Sequence, residues 1–321
     1  MKVLVTGGAG FLGQQLIRVL CERGELTLGG HARRIEAIVA LDAAQAPPSA
    51  DPRVSSVQGD LGNRALVRGA LADIDSVFHL AAVVSGAAEA DYDLGMRVNV
   101  DGTRALLDAC RALPHPPTFV FASSVAVFGG DLPEIVEDST TPTPQASYGV
   151  QKLIGELLVG DCTRRGYVDG RAVRLPTIVV RPGKPNAAAS SFASGIIREP
   201  LAGVESVCPV DVATRVWVMS PARAVASLVH AHETASAAWG LSRAVSLPGL
   251  TVSVREMLDA LRSVGGDAAV ARVRFQNDER IARIVRTWPA RFSPARSLAM
   301  GFEADHDIES IVRAYAAEHV R

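Results

Sequence analysis

The chain has 321 residues, 48 % of them hydrophobic and 21 % charged, so it can bury one large or two unequal cores and is neither a disordered nor a fibrous chain. Its 33 basic and 34 acidic side chains leave a formal net charge of −1, which offers no broad positive field to a nucleic acid. Four cysteines, Cys21, Cys110, Cys162 and Cys208, form no C-x-x-C pair, and His230-Ala231-His232-Glu233 lacks the spacing that sets two imidazoles on one helix face; neither a disulfide framework nor a metal centre is expected.

Along the first half, short β-branched apolar runs alternate with helical patterns. Val3–Thr6 reads as a strand and Phe11–Arg23 as a helix, and an unusually long connection carrying Arg33 and Arg34 follows. Ala37–Leu41 and Val54–Gln58 read as strands, Arg64–Leu71 as a helix, Ser76–Leu80 as a strand and Tyr92–Leu113 as a helix. Thr118–Ala122 is the next strand and Tyr148–Arg165 the next helix. Strand, helix, strand repeats of this kind predict a doubly wound α/β fold, a parallel sheet with helices on both faces. The continuous apolar strands fit burial on both sides.

A long loop rich in Pro, Thr and acidic residues runs between Gly129 and Ala146, a length that often serves function. Beyond Val180 the alternation weakens at Arg181-Pro182-Gly183-Lys184-Pro185-Asn186. Arg215–Met219 and Ala244–Leu247 then read as strands returning to the main sheet, with Pro221–Thr234 and Val254–Val264 as helices. The expected division is the doubly wound (Rossmann) domain over residues 1–180 plus about 210–250, and a smaller, mostly helical cap over 181–209 plus 251–321. The longest apolar stretches fall short of the roughly 20 residues of a membrane-spanning helix. The opening Met1-Lys2-Val3-Leu4-Val5-Thr6 lacks the pattern of a secretory leader, so a cytoplasmic location is expected.

Gly7, Gly10 and Gly13, with Phe11 and Leu12 between them, stand where the first strand turns into the first helix. A pyrophosphate can approach only where side chains are missing, and the helix start then offers unpaired N–H groups and a positive dipole end. Asp42 ends the next strand, where a carboxylate accepts hydrogen bonds from both hydroxyls of an adenosine ribose and repels a 2′-phosphate; the cofactor expected is NAD. Tyr148 and Lys152, at i and i+4, share one helix face. A tyrosine ionises near pH 10 and is a poor base at neutral pH unless an ammonium stands beside it, and Lys152, one of only three lysines, can supply that charge. Ser123 and Ser124 end the preceding strand, at the sheet edge where ligands bind. Ser124 is the first choice for holding the reacting oxygen and Ser123 the second, and neither lies in a G-x-S-x-G elbow.

Together these residues resemble the extended short-chain dehydrogenase/reductase family, whose G-x-x-G-x-x-G turn, serine and Y-x-x-x-K helix occur here in that order over most of the chain. The resemblance implies that Asp60 and Leu61 border the adenine, that Leu80, Ala81 and Ala82 border the nicotinamide-side ribose, and that Asn99 supports the active site. It also implies a homodimer. Many relatives epimerise or dehydrate nucleotide-linked sugars, yet Arg174-Leu175-Pro176-Thr177 and Val180-Arg181-Pro182-Gly183 depart from their pattern. The later segments, including Pro185-Asn186, Ile196–Pro200 and Arg286–Phe292, are similar to a branch that oxidises C2 of a four-carbon sugar acid with NAD. A small carboxylate substrate wants guanidinium and hydrogen-bonding partners, and Arg181, Asn186, Ser190, Arg286 and Arg291 are the candidates. The alternatives that stay open are a nucleotide-sugar epimerase or dehydratase, and a non-catalytic NAD sensor.

Overall fold

The computed structural model describes residues 1–183 and 189–320. Lys2–Thr6 forms β1, with every residue after Lys2 buried. The chain turns through glycines into α1 (Phe11–Arg23), which ends where Gly24, at φ 69°, donates its N–H to Leu20 O. In chain order there follow β2 (Glu25–Leu28), β3 (His31–Arg34), β4 (Ala37–Asp42), β5 (Val54–Gln58), α2 (Arg64–Ala70), β6 (Ser76–His79), α3 (Ser85–Ala90) and α4 (Tyr92–Gly95). A π-helical segment over Met96–Asp101 leads into α5 (Gly102–Cys110), then β7 (Thr118–Ser124), β8 (Val136–Glu137), α6 (Ser147–Arg164), β9 (Asp169–Leu175), β10 (Thr177–Ile178), α7 (Ser191–Leu201), β11 (Ser206–Cys208) and β12 (Arg215–Met219). The chain closes with α8 (Pro221–Glu233), β13 (Ala244–Ser246), β14 (Leu250–Ser253), α9 (Val254–Val270), β15 (Val273–Phe275), α10 (Glu279–Arg286), β16 (Phe292–Ser293), α11 (Ala295–Ala299) and α12 (Ile308–His319).

These elements fall into two compact units. One comprises Met1–Ser124, Ala146–Arg174 and Val225–Ser246, the other Val125–Gln145, Leu175–Ala224 and Leu247–Arg321. The first is built on a seven-stranded sheet of order β13-β9-β7-β6-β1-β4-β5. From β1 the chain passes to β4 and β5 on one side and returns to β6 and β7 on the other, all pairing parallel. The order reverses at β1 and β6, where Thr6 and His79 are register partners, and a crevice opens outside the carboxyl ends of strands at such a reversal. One side of this sheet is sealed by Leu4, Val77, Phe119, Phe121, Leu106 and Leu107, all at most 2 % exposed.

The second unit carries a three-stranded sheet of order β10-β12-β14, packed through Val216, Val218, Ile196, Ile197, Met257 and Leu261. Here the structure corrects the sequence reading. Arg215–Met219 is a strand, as its apolar run requires, but it pairs with Thr177–Ile178 and antiparallel with Leu250–Ser253. Only Ala244–Ser246 joins the main sheet, beside β9. An apolar run suits any buried sheet, and its neighbours are chosen by the surrounding chain. The long connection after α1 folds as an antiparallel hairpin turning at Gly29 and Gly30, both at positive φ. The helix expected over Tyr92–Leu113 is broken into α4, the π segment and α5.

Candidate active site

The glycine turn is shaped by contacts no side chain would survive. Gly7, at φ +73°, donates its N–H to Leu41 O at 2.9 Å, and a Cβ there would lie 2.8 Å from Ala81 N. A Cβ on Gly13 would run into the Gly7 carbonyl. Gly10 is different: a Cβ would meet only Gly7 O, at 3.2 Å, so that space is left open to whatever approaches the turn. Gly10 is also the N-cap of α1 and supplies no side-chain cap, leaving the first turn of α1, Phe11 to Gly13, with N–H groups that its own helix does not use. Asp42 stands beside this turn: Oδ2 accepts from Ala9 N at 3.0 Å and Oδ1 from Ala44 N at 2.9 Å. Each oxygen keeps a lone pair for a further donor.

The segment after β6 closes on the same turn. Leu80 N donates to Thr6 O at 3.1 Å and Ala81 N to Thr6 Oγ1 at 3.3 Å, and Ala82 follows. Asp60 is exposed and takes the Gly62 N–H at 2.7 Å, while Leu61 is buried, 3.0 Å from where a Cβ on Gly102 would sit. The structure therefore gathers the glycines, Asp42, Leu80 and Ala81 at the carboxyl ends of β1, β4 and β6.

His79, fully buried at the end of β6, is a residue the sequence reading missed. Its Nδ1 is 2.6 Å from Thr6 Oγ1 and its Nε2 2.8 Å from Thr103 Oγ1. Thr103 spends its own proton on Asn99 O at 2.7 Å, so Nε2 is the nitrogen that carries hydrogen and Nδ1 accepts from Thr6. Burial, with Lys152 nearby, pushes the imidazole pKa down to about 3, which keeps it neutral. Asn99, in the π segment, accepts from Val83 N at 2.7 Å and donates to Val83 O at 3.1 Å and to Gln151 Oε1 at 2.7 Å. The signal for His79 was an imidazole at the carboxyl end of an otherwise apolar strand.

The helix α6 begins at Ser147, whose N–H donates to Glu89 Oε2 at 2.9 Å, and its cap position is Ala146. Tyr148 and Lys152 lie one turn apart, with Lys152 Nζ 5.6 Å from the Tyr148 ring centre and 4.8 Å from that of Phe121. The ammonium donates to Ala122 O at 2.9 Å and is 3 % exposed. Burial draws its pKa down from 10.5 to about 8, with Glu156 acting the other way. The two serines at the end of β7 separate: Ser123 is buried and donates to Glu156 Oε1 at 2.5 Å, whereas Ser124 is half-buried. Arg174 completes that pair, Nε to Oε1 at 2.9 Å and Nη2 to Oε2 at 2.7 Å. Ser123 thereby spends its hydroxyl proton on a buried ion pair. Glu156 and Arg174 are the other residues the sequence reading missed; the spacing of Glu156 four beyond Lys152 was the available sign.

In the second unit, Arg181 Nη2 lies 3.5 Å from Ser190 Oγ. Arg286 pairs with Glu279 on its own helix and Arg291 with Glu134 at 2.5 Å, both exposed. Asn186 lies outside the described residues. Among the described residues no group of three or more His, Cys, Asp or Glu is placed to hold a metal ion, and no helix is long and apolar enough to cross a membrane.

A parallel sheet reversing beside a glycine turn, with a Tyr-Lys pair on the helix that follows β7, defines a dinucleotide-dependent class, and the chain belongs to the NAD dependent epimerase/dehydratase family, which residues 3–248 match. Within it the chain is 55 % identical, over 98 % of its own length and 98 % of the relative's, to the D-erythronate dehydrogenase of Cupriavidus necator. It is 42 % identical, at the same coverage of both chains, to the D-erythronate dehydrogenase of Haemophilus influenzae. Among solved structures it resembles the nucleoside-diphosphate-sugar epimerase of Agrobacterium tumefaciens, at TM-score 0.92 and 41 % identity over 99 % of this chain and 94 % of that one.

Proposed function

We propose that this protein oxidises D-erythronate at its C2 hydroxyl to 2-dehydro-D-erythronate with NAD as acceptor. The observation that carries the reading is the stacking of Lys152 Nζ, 5.6 Å from the Tyr148 ring centre, on the helix that packs against the strand ending in Ser124. Similarity to two D-erythronate dehydrogenases over nearly the whole chain supports the substrate.

The residues fit NAD. The space at Gly10 that a Cβ would begin to fill, above an uncapped helix start, suits a pyrophosphate. Asp42, held in place by two backbone N–H groups, suits the adenosine ribose and repels a 2′-phosphate. NAD held by the glycine turn and Asp42 would supply the hydride acceptor for oxidation at C2. Tyr148 accepts the proton of the C2 hydroxyl, and the Lys152 ammonium beside it favours the phenolate that does so. Ser124 donates a hydrogen bond to the reacting oxygen, leaving Ser123 to the ion pair. Arg181 and Ser190, 3.5 Å apart within the second unit, are of the types that bind a carboxylate by charge and hydrogen bonding. Tyr92, Val150 and Leu157, exposed at 61 %, 42 % and 67 %, support a homodimer, testable by light scattering.

The test is NADH absorbance during incubation with NAD and a panel of four- to six-carbon sugar acids and nucleotide sugars. Net NADH with D-erythronate, lost in Tyr148→Phe while NAD affinity is kept, is the expected result. The relationship to a nucleoside-diphosphate-sugar epimerase favours the second reading, which wins if a nucleotide sugar is converted without net NADH. Wild-type turnover in Tyr148→Phe overturns both.

A further inference from the structure

We propose that Glu156 is a positioning residue of this chemistry: its carboxylate, held by Arg174, fastens the end of β7 to α6 and so sets where Ser124 stands relative to Tyr148 and Lys152. The proposal rests on the reading that those three residues do the chemistry.

Three successive residues of β7 each meet α6. Phe121 packs so closely on Gly155 that a Cβ there would sit 2.5 Å from Phe121 Cζ. Ala122 O takes the Lys152 ammonium at 2.9 Å. Ser123 Oγ donates to Glu156 Oε1 at 2.5 Å. Ser124 is the next residue, one fixed Cα to Cα step beyond that fastening. On the helix side, Tyr148, Lys152 and Glu156 recur every fourth residue and form one stripe, so a single rigid element carries the base, its ammonium and the fastening.

A buried ion pair seldom stabilises more than an apolar pair of the same size, so the Glu156–Arg174 pair, with side chains 4 % and 12 % exposed, has little to gain as a plain stabiliser. Its directional bonds are what an apolar pair lacks. Arg174 from β9 pairs with Glu156 and Lys152 acts on it along α6; Lys152 in turn stands near the Tyr148 ring and within electrostatic reach of His79 on β6, and Glu89 of α3 receives the Ser147 N–H at the start of the helix. Neutralising Glu156 leaves Arg174 uncompensated, and an added positive charge lowers the proton affinity of every neighbour.

Two variants separate fastening from charge. Ser123→Ala removes the fastening and no charge: kcat should fall about tenfold, as small misplacements of reacting groups do, with NAD affinity and the pH profile unchanged. Glu156→Gln should lower kcat at least as much and also move the profile to lower pH by about one unit, again with NAD affinity kept. Wild-type kcat in Ser123→Ala, or an equal loss of kcat and NAD affinity in it, overturns the proposal, and this variant decides alone if Glu156→Gln does not fold. An unmoved pH profile in folded Glu156→Gln also overturns it, as does a Ser124→Ala variant that turns over faster than Ser123→Ala. Tyr148→Phe, run alongside, keeps the two levels apart. If it is inactive while Ser123→Ala is normal, only the role of Glu156 falls; if it is active, the catalytic reading falls first.

Discussion

Replacing Lys152 by methionine should make the protein more stable and useless. The ammonium is buried, and its pKa of about 8 against an ordinary 10.5 means that the folded state binds this proton less well than the unfolded chain. The difference between 10.5 and about 8 is about 3 kcal/mol at ~1.36 kcal/mol per pH unit. Stability therefore rises with pH between about 8 and 10.5, and the penalty, close to its full value at pH 7, shrinks to about 1 kcal/mol at pH 9.5. Methionine fills a similar volume without the charge, but leaves Ala122 O without its 2.9 Å donor, a loss of about 1–2 kcal/mol. The net expectation is a gain of about 1–2 kcal/mol at pH 7 and none at pH 9.5. Urea unfolding of the cofactor-free wild type and Lys152→Met at the two pH values measures it, and NADH formation measures the accompanying loss of turnover. A variant less stable than wild type by the same margin at both pH values would show that the ammonium sits there at no cost, and the reasoning fails.

Asp42→Asn should narrow the preference for NAD over NADP by at least about tenfold, read as the ratio of kcat/KM for the two cofactors; an unchanged ratio removes Asp42 from cofactor choice. His79 and His232, both buried and pulled down to about 3 from 6.5, contribute stability that is present above pH 6.5 and lost as pH falls toward 3, at ~1.36 kcal/mol per pH unit each. His79→Gln should flatten that acid limb by one proton in a pH series of thermal melts. Gly155→Ala, whose new methyl would meet Phe121 Cζ at 2.5 Å, should cost about 1–2 kcal/mol after its gain in helix propensity and slow turnover. A rise in melting temperature with normal kcat would contradict that close contact.

What the sequence made legible was local. Gly7, Gly10 and Gly13 announce themselves by spacing after a strand, and Tyr148 and Lys152 by spacing on a helix, because both signals lie within one element or one turn. The α/β class followed from alternation, since strand and helix periods differ. The partners across elements stayed dark. Nothing in Glu156 taken alone points to Arg174 eighteen residues on or to Ser123 on another strand, and His79 meets Thr6 and Thr103 only once three elements are folded together. That Ser123 rather than Ser124 reaches Glu156 stayed dark for the same reason. The Glu25–Arg34 hairpin escaped because His31–Arg34 is fully exposed and carries no alternation, and Arg215–Met219 declared itself a strand without naming its sheet.

The π-helical turn at Met96–Asp101 gives chain length an unusual meaning here. Such a turn holds one residue more than an α turn, so trimming a single residue from it would let an unbroken α-helix form. Because that residue is the turn's surplus, the helix on either side would keep its phase, while the side chains within the turn would be spaced anew around the axis. Asn99 would then lose its grip on Val83 or on Gln151. Homologues are thus expected to tolerate exchange of side chains in this turn far better than a change in their number.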